Sequence, residues 1–152
     1  MEEEPLRGRG KETTMKDKDC IFCKIANGEI PSTTLYEDED FRVILDLGPG
    51  SKGHALILPK EHFRDLNALD PAVAAKVLPL AAKIGAAQMK ALGAAGYNVV
   101  QNNGTEAGQT VFHFHVHIIP RYAGAPKIVT WTPGSPSKEE LAETGGRIRE
   151  AL

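Results

Sequence analysis

The fold is decided by the stretch Val111-Phe112-His113-Phe114-His115-Val116-His117-Ile118-Ile119, in which apolar residues alternate with histidines. Successive side chains of a β-strand point to opposite faces of the sheet. The alternation therefore predicts a strand over Val111–Ile119, with its phenylalanines, Val116 and Ile118 packed on one face. The three histidines, at positions 113, 115 and 117, are expected to share the other face.

Three histidines on one strand face have three explanations. They could be solvated residues without a role, which is uncommon for three of the chain's five histidines in strict alternation. They could bind one metal ion together, but residues four apart on a flat strand lie ~13 Å from each other, too far to share an ion easily. The third explanation fits this spacing best: a central nucleophile or base, His115, with a helper on each side.

The remaining pattern predicts an α+β fold with a mainly antiparallel meander sheet of about five strands. The other strands are expected at 33–37, 41–46, 55–58 and 97–102. One long helix should run from Pro71 to Leu92, because Asp70 suits its N-cap and proline suits its first position. Pro79 should bend or interrupt that helix. The capping-box pattern at Ser137–Glu140 predicts a final helix.

Composition divides the chain into a tail and one domain. Residues 1–18 are charged and have few apolar side chains, which predicts a disordered tail, and residues 19–152 should form the domain. The net charge of −2 gives no general attraction to nucleic acid or to an anionic membrane. No apolar run approaches the ~20 residues of a membrane span, and the first residues lack the pattern of a secretory signal. With only two cysteines, a cytoplasmic location is expected.

A loop rich in small residues and polar donors precedes the histidine stretch. It reads Asn102-Asn103-Gly104-Thr105-Glu106-Ala107-Gly108-Gln109-Thr110. Glycine lets backbone N–H groups approach a ligand closely, and amides and hydroxyls suit phosphate oxygens. Alone it would be an ordinary hairpin loop, but beside the histidines it becomes a candidate phosphate-binding loop.

The segment Gly108–Ile119 resembles the His-x-His-x-His signature of the histidine triad (HIT) superfamily. The similarity also includes Cys20–Ile25, the pair Asp46-Leu47 and Gly53–His62, so that it covers roughly residues 19–126. The resemblance implies the HIT fold and a nucleotide hydrolase or transferase with a covalent nucleotidyl-histidine intermediate. It implies neither a catalytic metal nor an organic cofactor. Because family members usually pair two protomers into one extended sheet, a homodimer is expected.

The resemblance also implies roles for single residues. His115 would be the nucleophile, since an imidazole with a reference pKa of ~6.5 is mostly neutral at pH 7 and can attack phosphorus directly. His117 would stabilise charge on the phosphate or leaving group, Thr110 would place a hydroxyl near the leaving group, and His54 would stand behind them. The implied contacts are Asn102, Gly108, Gln109, Thr110 and His117 for phosphate, Asp46 for ribose, and Phe22, Ile25, Ile44 and Leu47 for the base.

Cys20 and Cys23 form a pair that alone is weak evidence for zinc, because a structural site needs four ligands. A redox motif is the alternative, but the thioredoxin-like context is missing. Some HIT relatives complete the pair with histidines that match His62 and His113, so the resemblance implies structural zinc. With zinc, His113 would orient His115 from behind; without zinc, His113 would join His54 in a hydrogen-bonded relay.

The sequence leaves the reaction open between two branches of the superfamily, Hint and Fhit. Hydrolysis of a nucleoside phosphoramidate to AMP is preferred, because the amino-terminal part and Trp131–Gly134 resemble the Hint branch. Cleavage of a dinucleoside polyphosphate is the alternative, because Glu106–Thr110 and Pro120-Arg121 resemble the Fhit branch. Two other classes are a nucleotide-binding interaction protein without turnover, against which the intact His115 argues, and a three-histidine metalloenzyme.

Overall fold

The structure is a computed structural model that describes residues 16–152. Its elements are α1 (Ile21–Ala26), β1 (Thr34–Glu37), β2 (Phe41–Leu45), β3 (Ala55–Pro59), α2 (Pro71–Leu92), β4 (Gly96–Val100), β5 (Val116–Arg121) and α3 (Lys138–Ala151). A single 3₁₀ turn, Thr105–Ala107, lies between β4 and β5. Most of the predicted tail, residues 1–15, lies outside the described residues.

The five strands form one sheet in the order β1-β2-β3-β5-β4, and all neighbouring strands are antiparallel. Strands β1 to β3 follow one another through short connections. Helix α2 then carries the chain to the far edge, and β5 returns between β3 and β4. The predicted α+β class, antiparallel sheet, long helix and C-terminal helix are confirmed. The order also gives β5, which contains His117, a neighbour on each side.

Helix α2 begins and ends where the sequence predicts. The Asp70 side chain accepts a hydrogen bond of 2.8 Å from the backbone N–H of Ala72, and Gly93 ends the helix with a φ of +70°. The helix is continuous through Pro79, so the expected interruption does not occur. Pro79 lies on the exposed side of the helix, where water can satisfy the carbonyl that the proline leaves without a donor.

Two apolar layers cover the two faces of the sheet. The buried face of α2 packs on one layer, which includes Val43, Ile57, Val116 and Ile118. Helix α1 covers part of the opposite face, where a smaller cluster is formed by Ala26, Ile44, Leu56 and Leu58 with Phe22 and Ile25. Burying each large aliphatic side chain contributes ~1.5–3 kcal/mol, so these layers fix which side chains of each strand remain available for a site.

By length and composition alone, α2 could also cross a membrane, with a mean hydropathy of 1.2 over 18 residues. The absence of a long apolar run had predicted no stretch of this kind. One such helix is weak evidence for a span, because the core helix of a globular domain has the same composition. In this structure α2 packs on the sheet through six buried residues, and it carries lysines at 76, 83 and 90.

The predicted strand over Val111–Ile119 is wrong in its first half, because β5 begins only at Val116. Residues 111–113 form bends and residues 114 and 115 have no regular secondary structure; the Phe114 N–H donates to the Phe63 carbonyl at 2.6 Å and not to a neighbouring strand. Phe114 is still buried in the core cluster that includes residues of α2, but Phe112 is 40% exposed. The sequence also does not predict α1, since six residues are too few for a helical period to be visible.

Candidate active site

A cleft of about 410 Å³ lies on the sheet face opposite α2. Eight of the residues that the sequence assigns to the nucleotide site line it: Phe22, Ile25, Ile44, Asp46, Leu47, Thr110, His115 and His117. The segment 30–33 also lines this cleft, although no site role was predicted for it. That segment precedes β1 and has no motif of its own, so only the fold shows that it belongs to the site.

Apolar side chains form one end of the cleft. The rings of Phe22 and His115 meet edge to face, with centroids 4.9 Å apart and an interplanar angle of 89°. Ile44 and Leu56 form a buried floor beside them. Leu47 is 99% exposed, which places its side chain at the rim and not in the wall. This end can accept a flat aromatic group such as a nucleobase.

The protonation state of His115 is fixed by its backbone neighbour. Its Nδ1 lies 2.7 Å from the His113 carbonyl oxygen, which can only accept a hydrogen bond, so Nδ1 carries the proton. The other ring nitrogen, Nε2, therefore has a free lone pair. Burial lowers the pKa of His115 below its usual value, which keeps the ring neutral at pH 7. A neutral, half-buried imidazole of this kind is a competent nucleophile.

A second chain of hydrogen bonds fixes the tautomer of His117. His54 accepts a hydrogen bond at Nδ1 from the Gly50 N–H (2.9 Å), so its own proton is on Nε2. That nitrogen lies 2.9 Å from Nδ1 of His117 and donates to it. His117 therefore carries its proton on Nε2 and can donate it to a ligand. Burial is the main reason that the pKa of His117 is lowered to about 4, and burial also lowers the pKa of His54.

Asp46, the predicted ribose ligand, lies directly after β2, beside the hydrogen bonds of His54 and His117. Its Oδ1 accepts a hydrogen bond of 2.8 Å from the Gly48 N–H, and its Oδ2 lies 3.6 Å from Nε2 of His54. The carboxylate is half-buried and lines the cleft. One oxygen is thus used to hold the turn, while the other has acceptor capacity left for hydroxyl groups.

Hydrogen bonds hold the loop before the histidines in place. The Gln109 side chain is 3% exposed: its amide nitrogen donates to the Arg64 and Val111 carbonyls, and its oxygen accepts from the Gly104 N–H. A contact between this side chain and phosphate would have to replace one of these hydrogen bonds, and it stays a prediction. Asn102 and Gly108 do not line the cleft, whereas Thr110 does.

The two cysteines meet two histidines behind the cleft. The Sγ atoms of Cys20 and Cys23 each lie 3.4 Å from Nδ1 of His113, and Sγ of Cys23 lies 3.3 Å from Nδ1 of His62. All four ligand atoms are within 4.8 Å of one another. Zinc bonds of ~2.0–2.3 Å in a tetrahedron place such atoms ~3.3–3.8 Å apart, so the four residues fit a zinc ion.

Hydrogen bonding and burial in this cluster also suit a cation. His113 is fully buried and its Nε2–H donates to the Pro59 carbonyl at 2.9 Å, which leaves the Nδ1 lone pair facing the sulfurs. Burial lowers the pKa of His113 to about 4 and raises that of the Cys23 thiol to about 11. A bound cation would stabilise the thiolate that burial disfavours.

Two of the three motif histidines thus belong to different groups of metal-ligating side chains. Within residues 16–152, His113 belongs to the cluster with the cysteines, and His117 belongs to a group with His54 and Asp46. The expectation that His113 would join His54 in a relay without zinc is wrong, since the partner of His54 is His117. No group of metal-ligating atoms in the described residues contains all three motif histidines, which gives the three-histidine metalloenzyme no support.

The HIT domain model matches residues 27–124, which extend from the end of α1 to just beyond β5. The chain belongs to the HIT domain family. The matched residues include all five strands, α2 and the three motif histidines.

Two relatives of this HIT protein have names that state an activity. Adenosine 5'-monophosphoramidase hnt1 of Schizosaccharomyces pombe is 43% identical over 134 residues, which cover 88% of this chain and 98% of that protein. Adenylylsulfatase HINT3 of Arabidopsis thaliana is 46% identical over 115 residues, 75% of this chain and 58% of that protein. The chain therefore spans little more than half of the plant relative. These similarities support hydrolase activity in general.

Two solved HIT structures share the fold. SMU.412c from Streptococcus mutans has a TM-score of 0.85 and 39% identity, over 91% of this chain and 88% of that one. A Zn-bound histidine triad family protein from Mycobacterium smegmatis has a TM-score of 0.68 and 34% identity, over 88% of this chain and 98% of that one. The zinc is a property of the mycobacterial protein.

Proposed function

We propose that this HIT protein hydrolyses an adenosine 5′-phosphoramidate to AMP and an amine, through a nucleotidyl intermediate on His115. The observation that carries the proposal is the fixed tautomer of His115, whose Nδ1–H donates to the His113 carbonyl and leaves Nε2 free. The apolar end of the cleft beside Phe22 suits the base, and Asp46 suits the ribose hydroxyls.

The proposed reaction has two steps at phosphorus. In the first, Nε2 of His115 attacks the α-phosphorus, and the bond from phosphorus to the leaving nitrogen breaks. The leaving nitrogen, protonated from solvent, departs as a neutral amine, while the Nε2–H of His117 donates a hydrogen bond to a phosphate oxygen and stabilises the negative charge there. In the second, water attacks phosphorus, the bond to His115 breaks, and the proton of the water is released to solvent. The Nδ1–H of His115, which donates to the His113 carbonyl, stabilises the positive charge on the imidazole of the intermediate.

The charge of the cleft favours an amine over a polyphosphate as the leaving group. Among residues 16–152, the ionisable side chains that line the cleft are Asp46, His115 and His117, and none is a lysine or an arginine. A polyphosphate would place several negative charges there without a fixed cation. Of the Fhit-like segment Glu106–Thr110, Thr110 lines the cleft, whereas Pro120-Arg121 and the Hint-like Trp131–Gly134 do not, so these segments do not decide between the two reactions.

A substrate panel tests this proposal. We expect kcat/KM for an AMP phosphoramidate to exceed that for diadenosine tetraphosphate by ~100-fold or more, equivalent to ~2.7 kcal/mol of differential barrier. Adenosine 5′-phosphosulfate completes the panel, and the His115→Ala variant, purified in parallel, controls for contaminating hydrolases. Faster turnover of the polyphosphate would establish the alternative reaction, and no turnover of any adenylate would favour the nucleotide-binding interaction protein.

Asp46→Asn tests the ribose contact. Asparagine keeps an oxygen for the Gly48 N–H but loses the negative charge, and a charge-assisted hydrogen bond is worth ~1.5–3 kcal/mol. We expect KM for the AMP phosphoramidate to rise ~10-fold or more, while the 2′,3′-dideoxy substrate changes little. An equal loss with both substrates would show that Asp46 acts through His54 and not on the ribose.

We propose that Cys20, Cys23, His62 and His113 hold one structural zinc ion. When bound, the ion would occupy a closed site with four protein ligands, which suits a structural and not a catalytic role. The ligands come from the start of α1, the segment after β3 and the segment before β5. The site would therefore hold the base end of the cleft and the backbone at His113 in a fixed relation to each other.

We also propose that the protein is a cytoplasmic homodimer. Strand β4 lies at the edge of the sheet and Val99 on it is 43% exposed, so its outer edge can pair with a second β4. Leu78 and Met89 on the outward side of α2 are also exposed. Both described cysteines are free, as suits a reducing compartment.

A further inference from the structure

Gln88 is the only polar residue among the six buried residues of α2. It is 5% exposed and faces the sheet from the side opposite the cleft. Its Nε2 donates to two backbone carbonyls, that of Gly53 at 3.0 Å and that of Ile118 at 2.9 Å. The two acceptors belong to different segments: Gly53 precedes β3, and Ile118 lies within β5.

The Gln88 side chain does not maximise the stability of the fold. Its Oε1 is buried and, among the described residues, has no hydrogen-bond partner. A buried acceptor without a partner is unfavourable, and methionine of similar length would avoid it. The feature that an apolar residue could not supply is a pair of N–H donors directed at two strands.

The two carbonyls lie next to the two histidines that share a proton. Gly53 is bonded to His54, and Ile118 is bonded to His117, whose rings are joined by the contact of 2.9 Å between Nε2 and Nδ1. The ladder between β3 and β5 ends at the pair Ala55 and Ile118, so regular pairing does not hold residues 53 and 54 against β5. The Gln88 amide supplies the missing connection at this point.

Close packing makes the connection rigid. A Cβ atom on Gly53, which has a φ of +90°, would lie 2.4 Å from Cδ1 of Leu92, so α2 touches the backbone of this turn directly. The Ser51 hydroxyl donates to the Pro120 carbonyl in the same region. Helix α2 therefore determines where the turn that carries His54 sits relative to β5.

We propose that Gln88 is a positioning residue for the hydrogen bond between His54 and His117, and through it for the hydrogen bond that His117 donates. The role in turnover rests on the proposed function. Gln88 contacts no ligand itself; it fixes the separation of two backbone segments on which the histidines stand. Displacement of a catalytic group by ~1 Å can cost ~100-fold in rate, so loss of this connection should affect kcat.

The test compares Gln88→Met and Gln88→Leu with Ile84→Val, a change one turn away on the same buried face of α2. We expect both Gln88 variants to lower kcat for the AMP phosphoramidate ~10-fold with an unchanged KM, whereas Ile84→Val keeps the wild-type kcat. The ¹⁵N signals of the imidazoles should show Nε2-protonated His54 and His117 in the wild type and a mixture of tautomers in the Gln88 variants.

Wild-type kcat and unchanged imidazole signals in a folded Gln88 variant would overturn the proposal. The imidazole signals do not depend on turnover. If the wild type hydrolyses no adenylate, the proposed function fails, and the tautomers of His54 and His117 in the variants still decide whether Gln88 positions them.

Discussion

His115→Ala is expected to lower kcat/KM for the AMP phosphoramidate by on the order of 10³-fold or more, which corresponds to ~4 kcal/mol of barrier. The variant removes the Nε2 atom that is proposed to form the bond to phosphorus. It leaves Ile44, Leu56 and Asp46 in the cleft, where the proposed base and ribose contacts lie, so AMP binding should weaken far less than turnover. Because the loss falls on the chemical step, it should appear in kcat.

Mass spectrometry tests the proposed intermediate directly. Rapid-quench mass spectrometry during turnover should detect a nucleotidyl adduct on the peptide that contains His115, and the alanine variant should show none. His117→Ala and Thr110→Ala are matched controls, because each removes a neighbour of the reaction centre and leaves Nε2 of His115 in place. Both should be less severe. Near-normal turnover of His115→Ala, or an adduct on another residue, would refute the mechanism.

The fold could be predicted from the sequence where local pattern and tertiary packing agree. Helix α2 has a capping aspartate, an N-terminal proline and a terminal glycine, and its predicted bounds are those observed. The predicted antiparallel pairing of the strands is confirmed, but β5 begins at Val116 and not at Val111, where the alternation puts it. Alternation reports which side chains are buried, and residues 113 and 114 are buried by the cysteine cluster and by α2 without being part of a strand.

The site could be predicted only as far as its residues have a motif. The motif and the resemblance indicate His115, His117, Asp46 and the four proposed zinc ligands, and the structure brings each set together. Hydrogen-bond direction could not be predicted, because it depends on backbone carbonyls that the fold supplies. For that reason the sequence predicts a phosphate contact for Gln109 but not the hydrogen bonds that its amide makes with Gly104 and Arg64. The sequence also gives no signal for the contact between Gln88 and the Ile118 carbonyl.

Cys23→Ser is expected to reduce the zinc content well below one ion per protomer and to lower the melting temperature by ~8–16 °C. Serine has nearly the same shape but is a much weaker zinc ligand, so the site loses one of its four ligands. Ligands that bind only the folded state add their binding free energy to stability, and a loss on the order of 4 kcal/mol gives this shift in a domain of ~150 residues. Cys23 is 3% exposed and lies against both histidines, so a neighbouring side chain cannot replace it without rearrangement.

Ala26→Ser is the matched control for Cys23→Ser. It introduces the same hydroxyl at a fully buried position of the same short helix, without changing a ligand. It should keep one zinc per protomer, and the ratio of kcat/KM between AMP phosphoramidate and diadenosine tetraphosphate should be unchanged in both variants. Elemental analysis of protein purified without added metal is the direct measurement. Less than about a tenth of an equivalent of zinc per protomer in the wild type, with both thiols freely titratable, would refute the proposed zinc site. The cluster of Cys20, Cys23, His62 and His113 would then have to be stable as hydrogen-bonded neutral groups, as the raised pKa of the Cys23 thiol and the lowered pKa of His113 allow.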